Sequence, residues 1–465
     1  MKSVGGIGAR RAGKPIAALL VLLCSICTLF VGVTGSRAGA TDSGNGRFEG
    51  VASCAGSTCH GRMEADGAVV RQDELMRWQE PSSQAGAHSR AYSILLGQRA
   101  RQITATLGMG DPTSAPACLG CHATPTNGLT GARFLTSDGV GCEACHGPSS
   151  GWISTHFAVG GNHKDNVARG LIPLENATTR ASVCLDCHLG SKRSGQFVTH
   201  RIMAAGHPRV TFEMDLFSTL QQHHNDDADY TARKGRTDGV RMWAVGQAMA
   251  VNRALTLYAD AKIGTEGAFP EFYFLDCHSC HRRIFDQEDR VKTWEANPGR
   301  SIPAGMPPFN DENMILLSAA ARVTNPALAA RFDKDARAFH QAMAGSRATS
   351  VAAGVRLAAT ASDLASALSA RSNDGDTAFA IVDSIAGPAS APRFTDYTGS
   401  VQAVMAIDSL LNALVKQGRV TIGAAASIRA DINRAYAAVK EPNGYRPPEF
   451  RGALASAVRS IRSLR

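Results

Sequence analysis

The sequence GVGCEACHGP occupies residues 139–148 and places Cys142 and Cys145 two residues apart, with His146 directly after the second cysteine. This Cys-x-x-Cys-His pattern is the attachment motif of c-type haem. Each thiol adds to one vinyl group of the porphyrin, and the adjacent histidine is the proximal iron ligand. Since residues three and four apart share one face of a helical turn, both sulfurs and the imidazole reach a single macrocycle.

The motif recurs along the chain. Residues 118–122, 184–188 and 277–281 keep the two-residue spacing, whereas residues 54–60 have four residues between the cysteines. We predict five covalent haems; a disulfide between Cys54 and Cys59 is the alternative for the stretched copy and would leave four. The predicted attachment cysteines are Cys54, Cys59, Cys118, Cys121, Cys142, Cys145, Cys184, Cys187, Cys277 and Cys280. The predicted proximal iron ligands are His60, His122, His146, His188 and His281.

Disulfides and zinc are the competing explanations for paired cysteines. An exported protein holds disulfides, and cysteine pairs also bind zinc. Neither explanation needs a histidine directly after every pair. Because only 14 of 465 residues are histidine, five such coincidences in five pairs favour haem attachment.

The first 40 residues have the layout of a secretory signal peptide. A basic start is followed by an apolar run over residues 15–33 and by small residues at 38–40. An uncleaved anchor in the inner membrane is the alternative, since the apolar run is long. We expect an exported, periplasmic protein and no later segment that spans a bilayer. The remaining two of the twelve cysteines, Cys24 and Cys27, lie in this leader and carry no predicted site.

The charge excludes one class of partner. The full chain has a net charge of +9, but the leader holds five of the 49 basic residues and none of the 40 acidic ones. The remainder therefore carries only +4, which is too weak a bias to argue for nucleic acid.

The distribution of the motifs predicts two regions after the leader. Residues 41–300 hold every motif and form a predicted multihaem cytochrome c domain, mainly α with much irregular loop, little sheet and one longer helix near 243–261. Residues 301–465 form a predicted Ala-rich helical domain. It contains two apolar stripes at helical spacing, 357–368 and 404–414, and Gly/Pro clusters near 372–394 and 441–448 are expected to interrupt it. It either covers the haem core or serves as a docking or oligomerisation surface.

Nine histidines remain as candidates for the sixth ligand of each iron. Imidazole on both faces gives a low-spin iron of low potential, whereas methionine in place of one histidine would raise the potential. The nine are His88, His156, His163, His200, His207, His223, His224, His278 and His340.

Five runs of the sequence carry a likeness to a known family: FEG at 48–50, AHSRA at 87–91, CLGCH at 118–122, GVGCEACHGP at 139–148 and CLDCH at 184–188. Over about residues 48–190 the chain resembles the cytochrome c-554 type of multihaem cytochrome and its wider c-552/4 domain family. It implies crossed distal ligation, with His88 on the haem of His146 and His156 on the haem of His60. In that family the second haem can lack a sixth ligand, and the matching haem here is that of His122.

The chain also departs from that family. The first motif is stretched, a fifth motif is added, and the helical tail has no counterpart, so the specific partner of the tetrahaem carrier is not carried over. Residues 198–209, VTHRIMAAGHPR, resemble an element of larger uncharacterised cytochromes. On that basis we assign His200 and His207 as distal ligands of two remaining haems. His163, His223 and His224 are kept as further candidates, and His278 is interpreted as a spacer.

Two functions fit these features. The favoured one is an electron carrier between a donor and an acceptor that are periplasmic or membrane-bound redox proteins. The other is a haem enzyme that reduces or oxidises a small nitrogen compound at a five-coordinate iron, for which the haem of His122 is the first candidate. No catalytic residue is assigned in either case.

Overall fold

The computed structural model describes residues 46–64, 72–224, 228–265, 267–281, 306–391 and 397–465. Asn45–Arg465 form one compact unit. The predicted leader lies outside the described residues. In the described part, extended pairing is limited to two isolated bridges, Phe48 with Thr130 and Leu275 with Phe309. The predicted mainly helical class is therefore confirmed.

Ten helices precede residue 300 in the described part, and most are short. They are α1 (Glu74–Trp78), α2 (Gln98–Leu107), α3 (Pro116–His122), α4 (Cys142–His146), α5 (His163–Ala168), α6 (Ala177–His188), α7 (His200–Ala204), α8 (Met214–Leu220), α9 (Ala228–Lys234) and α10 (Gly239–Tyr258).

Seven longer helices follow residue 306 in the described part. They are α11 (Glu312–Thr324), α12 (Pro326–Ala342), α13 (Arg347–Ser369), α14 (Gly375–Ala389), α15 (Tyr397–Lys416), α16 (Ile422–Ala438) and α17 (Pro447–Arg462).

Helix α10 is the long helix expected near 243–261, shifted toward the N-terminus. It begins at Gly239 because the Asp238 side chain caps it by accepting from the Arg241 backbone N–H at 2.9 Å. It ends at Tyr258. Just beyond this end, the Asp260 side chain accepts hydrogen bonds from the backbone N–H groups of Lys262 and Ile263, which forms a local turn in place of further helix. Trp243 is fully buried, and α10 packs against α6, α8, α11, α13 and α15. One helix thus joins the segment that carries the motifs to the helices after residue 306.

The apolar stripes lie where the sequence places them. Residues Leu357, Ala361 and Leu364 of α13 are fully buried, and so are Val404 and Leu411 of α15. Burying such a stripe against neighbouring helices is the main source of stability for an amphipathic helix.

The expected interruption over 372–394 is wrong in part, because α14 lies inside it. Asp374 caps this helix by accepting from the Thr377 backbone N–H at 2.9 Å, and Phe379 and Ile385 are buried. Pro388 falls in the last turn, where only the end of the hydrogen-bond ladder is affected. Burial of the apolar face therefore outweighs the Gly and Pro content.

Two helices, α13 and α15, have the length and mean hydropathy of a membrane span, which differs from the sequence expectation. Half of the apolar window in α13 and 83% of that in α15 is buried inside the protein. Core helices of soluble proteins have the same composition, so these two helices are weak support for a membrane location.

Candidate haem-binding sites

The regular motifs fold as helical turns. Residues 118–122 end α3, residues 142–146 form the whole of α4, and residues 184–188 end α6. At the fifth motif, Cys277–Ser279 form a 3₁₀ turn that Asp276 caps by accepting from the Ser279 backbone N–H at 2.9 Å. Both cysteines and the histidine of each motif therefore lie on one local turn, as haem attachment requires.

The stretched first motif folds differently, as a run of turns rather than a helix. The Cys59 N–H donates to Gly56 O at 2.8 Å, and the His60 N–H donates to Cys54 O at 3.2 Å. The two additional residues thus bulge outward, and the backbone N–H of His60 still reaches the carbonyl of Cys54, the first cysteine of the motif. In the part of the chain that the structure describes, no disulfide joins Cys54 to Cys59 or any other pair of the ten cysteines after the leader.

Each proximal histidine has another histidine ring opposite it. The centroid distances are 6.2 Å for His60 and His156, 6.2 Å for His122 and His207, 6.1 Å for His188 and His88, and 6.1 Å for His281 and His200. His146 has two such neighbours, His224 at 6.1 Å and His223 at 6.4 Å.

These separations fit an iron between the rings. A metal–imidazole bond of about 2.0 Å, plus about 1.1 Å from that nitrogen to the ring centre, puts two imidazoles on opposite sides of one iron about 6.2 Å apart. Rings packed directly on each other would lie closer. The residues present therefore fit bis-histidine haem at all five motifs.

The structure changes one implied pairing. His156 lies opposite His60, as the family resemblance implies, but His88 lies opposite His188 and not His146. His223 and His224 fill the position at His146 instead. They follow α8, far from His146 along the chain, and no local sequence pattern marks them as its partners.

The other assignments and candidates are also placed. His207 faces His122, and His200 faces His281. His163 pairs through Nε2 with Glu175, and His340 lies in α12 beside Asp311, so neither faces a motif histidine. The side chain of His278 lies outside the described residues.

Hydrogen bonds at Nδ1 leave Nε2 available for iron. Ligating histidines usually donate their second ring N–H to a carboxylate or a carbonyl, which fixes the tautomer and the ring orientation. Nδ1 lies 3.0 Å from Glu74 Oε2 in His60, 2.8 Å from Ala91 O in His122, 2.6 Å from Ile153 O in His156, and 2.7 Å from Pro208 O in His207. In His188 the buried Nδ1 has no such partner.

Burial also favours the neutral imidazole that binds iron. It lowers the pKa of His146 to about 3 and those of His188 and His223 to about 4. It lowers the pKa of His88 and His156 as well. His60 differs, because its hydrogen bond to Glu74 raises its pKa. A neutral ring offers a lone pair to iron without first losing a proton.

Glu74 connects two of the sites. Glu74 is 7% exposed, and its carboxylate lies 3.0 Å from Nδ1 of His60 and 3.8 Å from Nδ1 of His224. Burial alone would raise the pKa of Glu74, but the adjacent His224 and His60 imidazoles hold it below its ordinary value. The Glu74 carboxylate therefore faces histidines of two different candidate sites.

Glu143 directly follows Cys142 in the third motif, and its side chain holds the loops around that site in place. Its buried carboxylate accepts from the backbone N–H groups of Glu49 at 2.9 Å, Gly50 at 2.7 Å and Ser149 at 2.7 Å. Gly50 has a φ of 88°, and a Cβ there would lie 2.3 Å from Arg133 O. The Glu143 side chain therefore joins the runs FEG and CEACHGP by hydrogen bonds. The sequence analysis did not predict this role of Glu143.

Neighbouring sites lie side by side. The backbone N–H of Gly50, just before the first motif, donates to the Glu143 carboxylate inside the third motif at 2.7 Å. Cys187 Sγ lies 3.8 Å from Gly120 O, inside the motif of His122. The site of His60 thus adjoins that of His146, and the site of His122 adjoins that of His188.

The fifth site lies against the C-terminal helices. Arg209 Nη1 lies 2.9 Å from Cys277 Sγ, and Nη2 lies 3.2 Å from Glu312 Oε1 of α11. The guanidinium is mostly buried, and the nearby carboxylate and thiol hold its pKa above the ordinary value despite burial, which alone would lower it. A fixed positive charge thus lies beside this motif.

Comparison with known families agrees with these sites. Residues 53–147 match the family model described as cytochrome c554 and c-prime. This match supports a multihaem c-type cytochrome domain in that stretch, and a family of this type carries covalent haem c and suggests a location outside the cytoplasm. No curated protein and no solved structure matches the chain.

Proposed function

We propose that this protein is a periplasmic electron carrier with five covalent c-type haems, each ligated by two histidines. The observation that carries the proposal is the histidine ring opposite every proximal histidine, at 6.1 or 6.2 Å. When bound, the haem irons supply one-electron redox chemistry, and the protein supplies ligation, spacing and burial.

The ligand set favours electron transfer. Two imidazoles per haem would favour a low potential and would leave a small molecule no open coordination site. The hydrogen bond from Gly50 to Glu143 and the contact of Cys187 Sγ with Gly120 O support close packing of neighbouring sites. Short separations between redox groups suit rapid transfer.

The enzyme alternative requires one open iron, and the site of His122 was its first candidate. His207 lies 6.2 Å from His122, and its Nδ1 lies 2.7 Å from Pro208 O. A ring held in that orientation leaves Nε2 for the iron. This arrangement favours the carrier over a nitrogen-compound enzyme.

The partners that fit a carrier are periplasmic or membrane-bound redox proteins, one as donor and one as acceptor. The C-terminal helices are proposed mainly as a cover of the haem core, because α11 supplies Glu312 at the fifth site. Export through a cleaved leader at residues 1–40, or retention of that leader as an anchor, stays a prediction.

Low-temperature EPR of the oxidised protein tests the proposal, together with carbon monoxide addition to the reduced protein. We expect only low-spin signals and no carbon monoxide binding. A high-spin signal with stoichiometric carbon monoxide binding would instead support the enzyme. Intact mass gives the number of haems in the same sample, and a mass for four would remove the site of His60.

A further inference from the structure

The site of His146 differs from the other four because two histidine rings face it. His224 lies at 6.1 Å with an interplanar angle of 87°, and His223 lies at 6.4 Å with an angle of 89°. The ligand atoms of the three histidines all lie within 4.8 Å of one another. At each of the other four motifs, a single histidine ring of the described residues lies opposite the proximal one.

We propose that the iron at His146 has a resident distal ligand, His224, and a reserve ligand, His223, and that Glu74 selects between them. The inference rests on the proposed bis-histidine haems. An iron with one macrocycle and one proximal ligand accepts only one more imidazole. The two rings therefore compete for a single position, and their centroids are only 4.2 Å apart.

Exchange between the rings requires little movement. His223 and His224 are adjacent in a short stretch between α8 and α9, outside any helix. Because both already point at His146, a change of side-chain torsions is enough to replace one by the other. The surrounding helices keep their positions.

The group nearest Nδ1 differs between the two rings. Nδ1 of His224 lies 3.8 Å from the Glu74 carboxylate, and Nδ1 of His223 lies 3.2 Å from the neutral carbonyl of Gln221. At 3.8 Å the Glu74 charge acts on His224 through space, and a nearby negative charge raises the basicity of a ligating imidazole more than a neutral carbonyl does. His224 also has the ring separation seen at the other sites.

Glu74 has a second role through His60. The same carboxylate lies 3.0 Å from His60 Nδ1, so it orients the proximal ligand of the adjacent site. A change at Glu74 should therefore alter the spectra of two irons, whereas a change at His223 should alter neither.

Four variants of the haem-loaded full chain test the proposal: His223→Ala, His224→Ala, the double variant and Glu74→Gln. The readouts are EPR g-values of the oxidised protein and carbon monoxide binding by the reduced protein. We expect His223→Ala to match the unchanged protein. We expect His224→Ala to stay low-spin, with one shifted signal and no carbon monoxide binding, because His223 replaces the lost ring.

The double variant should gain one high-spin iron per molecule and bind one carbon monoxide, and added imidazole should restore the low-spin signal. Glu74→Gln should move the same signal toward that of His224→Ala and also shift the signal of the His60 site. His163→Ala is the matched control, since that ring pairs with Glu175 and should change no signal.

Three outcomes would overturn the inference. Carbon monoxide binding by His224→Ala alone would mean that no reserve ligand exists, and binding by His223→Ala alone would make His223 the resident ligand. An unchanged spectrum in Glu74→Gln would remove Glu74 from the selection. Failure of the proposed function is distinguishable, because the unaltered protein itself would then bind carbon monoxide or lack haem.

Discussion

Replacing Glu143 by glutamine should detach the loops from the third motif along the chain. One carboxylate oxygen accepts from Glu49 and Ser149, and the other accepts from Gly50 at 2.7 Å. Glutamine puts an amide N–H₂ where one oxygen was, so a donor then faces a backbone donor. Turning the amide over does not help, because the N–H₂ would then face the other two N–H groups.

The magnitude follows from the bonds lost. A hydrogen bond to a charged group is worth about 1.5–3 kcal/mol, and a buried donor left without a partner costs about 1–3 kcal/mol. Because Glu143 is only 4% exposed, water does not replace the lost acceptor. We expect Glu143→Gln to lower the free energy of unfolding by about 2–5 kcal/mol.

Urea unfolding of the haem-loaded protein measures the loss, and amide hydrogen exchange locates it at Gly50 and Ser149. Glu449→Gln is the control, because its exposed carboxylate pairs with Arg446 across one helical turn; it should cost less than about 0.5 kcal/mol. Equal stability of the two variants, with unchanged exchange at Gly50, would refute the reasoning.

Three further results are expected. Glu312→Gln removes the negative charge that pairs with the Arg209 guanidinium beside the fifth motif, so redox titration should show a higher reduction potential for that haem. An unchanged set of reduction potentials would contradict this. Burial and the nearby carboxylate of Asp215 raise the pKa of Glu213 to about 8 from 4.5, so the folded state binds this proton more tightly than the unfolded state does. The free energy of unfolding should therefore fall as pH rises from about 4.5 through 8, and Glu213→Gln should remove that slope in urea titrations at each pH. Changing Cys54 and Cys59 together to serine should lower the intact mass by one haem, beyond the change due to the substitutions themselves. If no haem mass is lost, this motif carries no haem.

Local chemistry explains what was predictable. Cysteines and the histidine of each motif must lie on one turn, so their spacing alone indicates haem attachment. The stripe in α15 and the long helix α10 were also predictable, because a buried helical face repeats along the chain. Helix α14 was missed, since its Gly and Pro content suggests a break and only tertiary packing of Phe379 and Ile385 outweighs it.

The sequence by itself determined the covalent chemistry of this protein, because haem attachment depends on residues within a single turn. The tertiary structure alone decided which further histidine faces which motif histidine. His88 lies opposite His188, and His223 and His224 lie opposite His146, through contacts between segments far apart along the chain. Such contacts depend on how helices pack and on which carboxylate, such as Glu74, orients each ring. No spacing rule encodes that information.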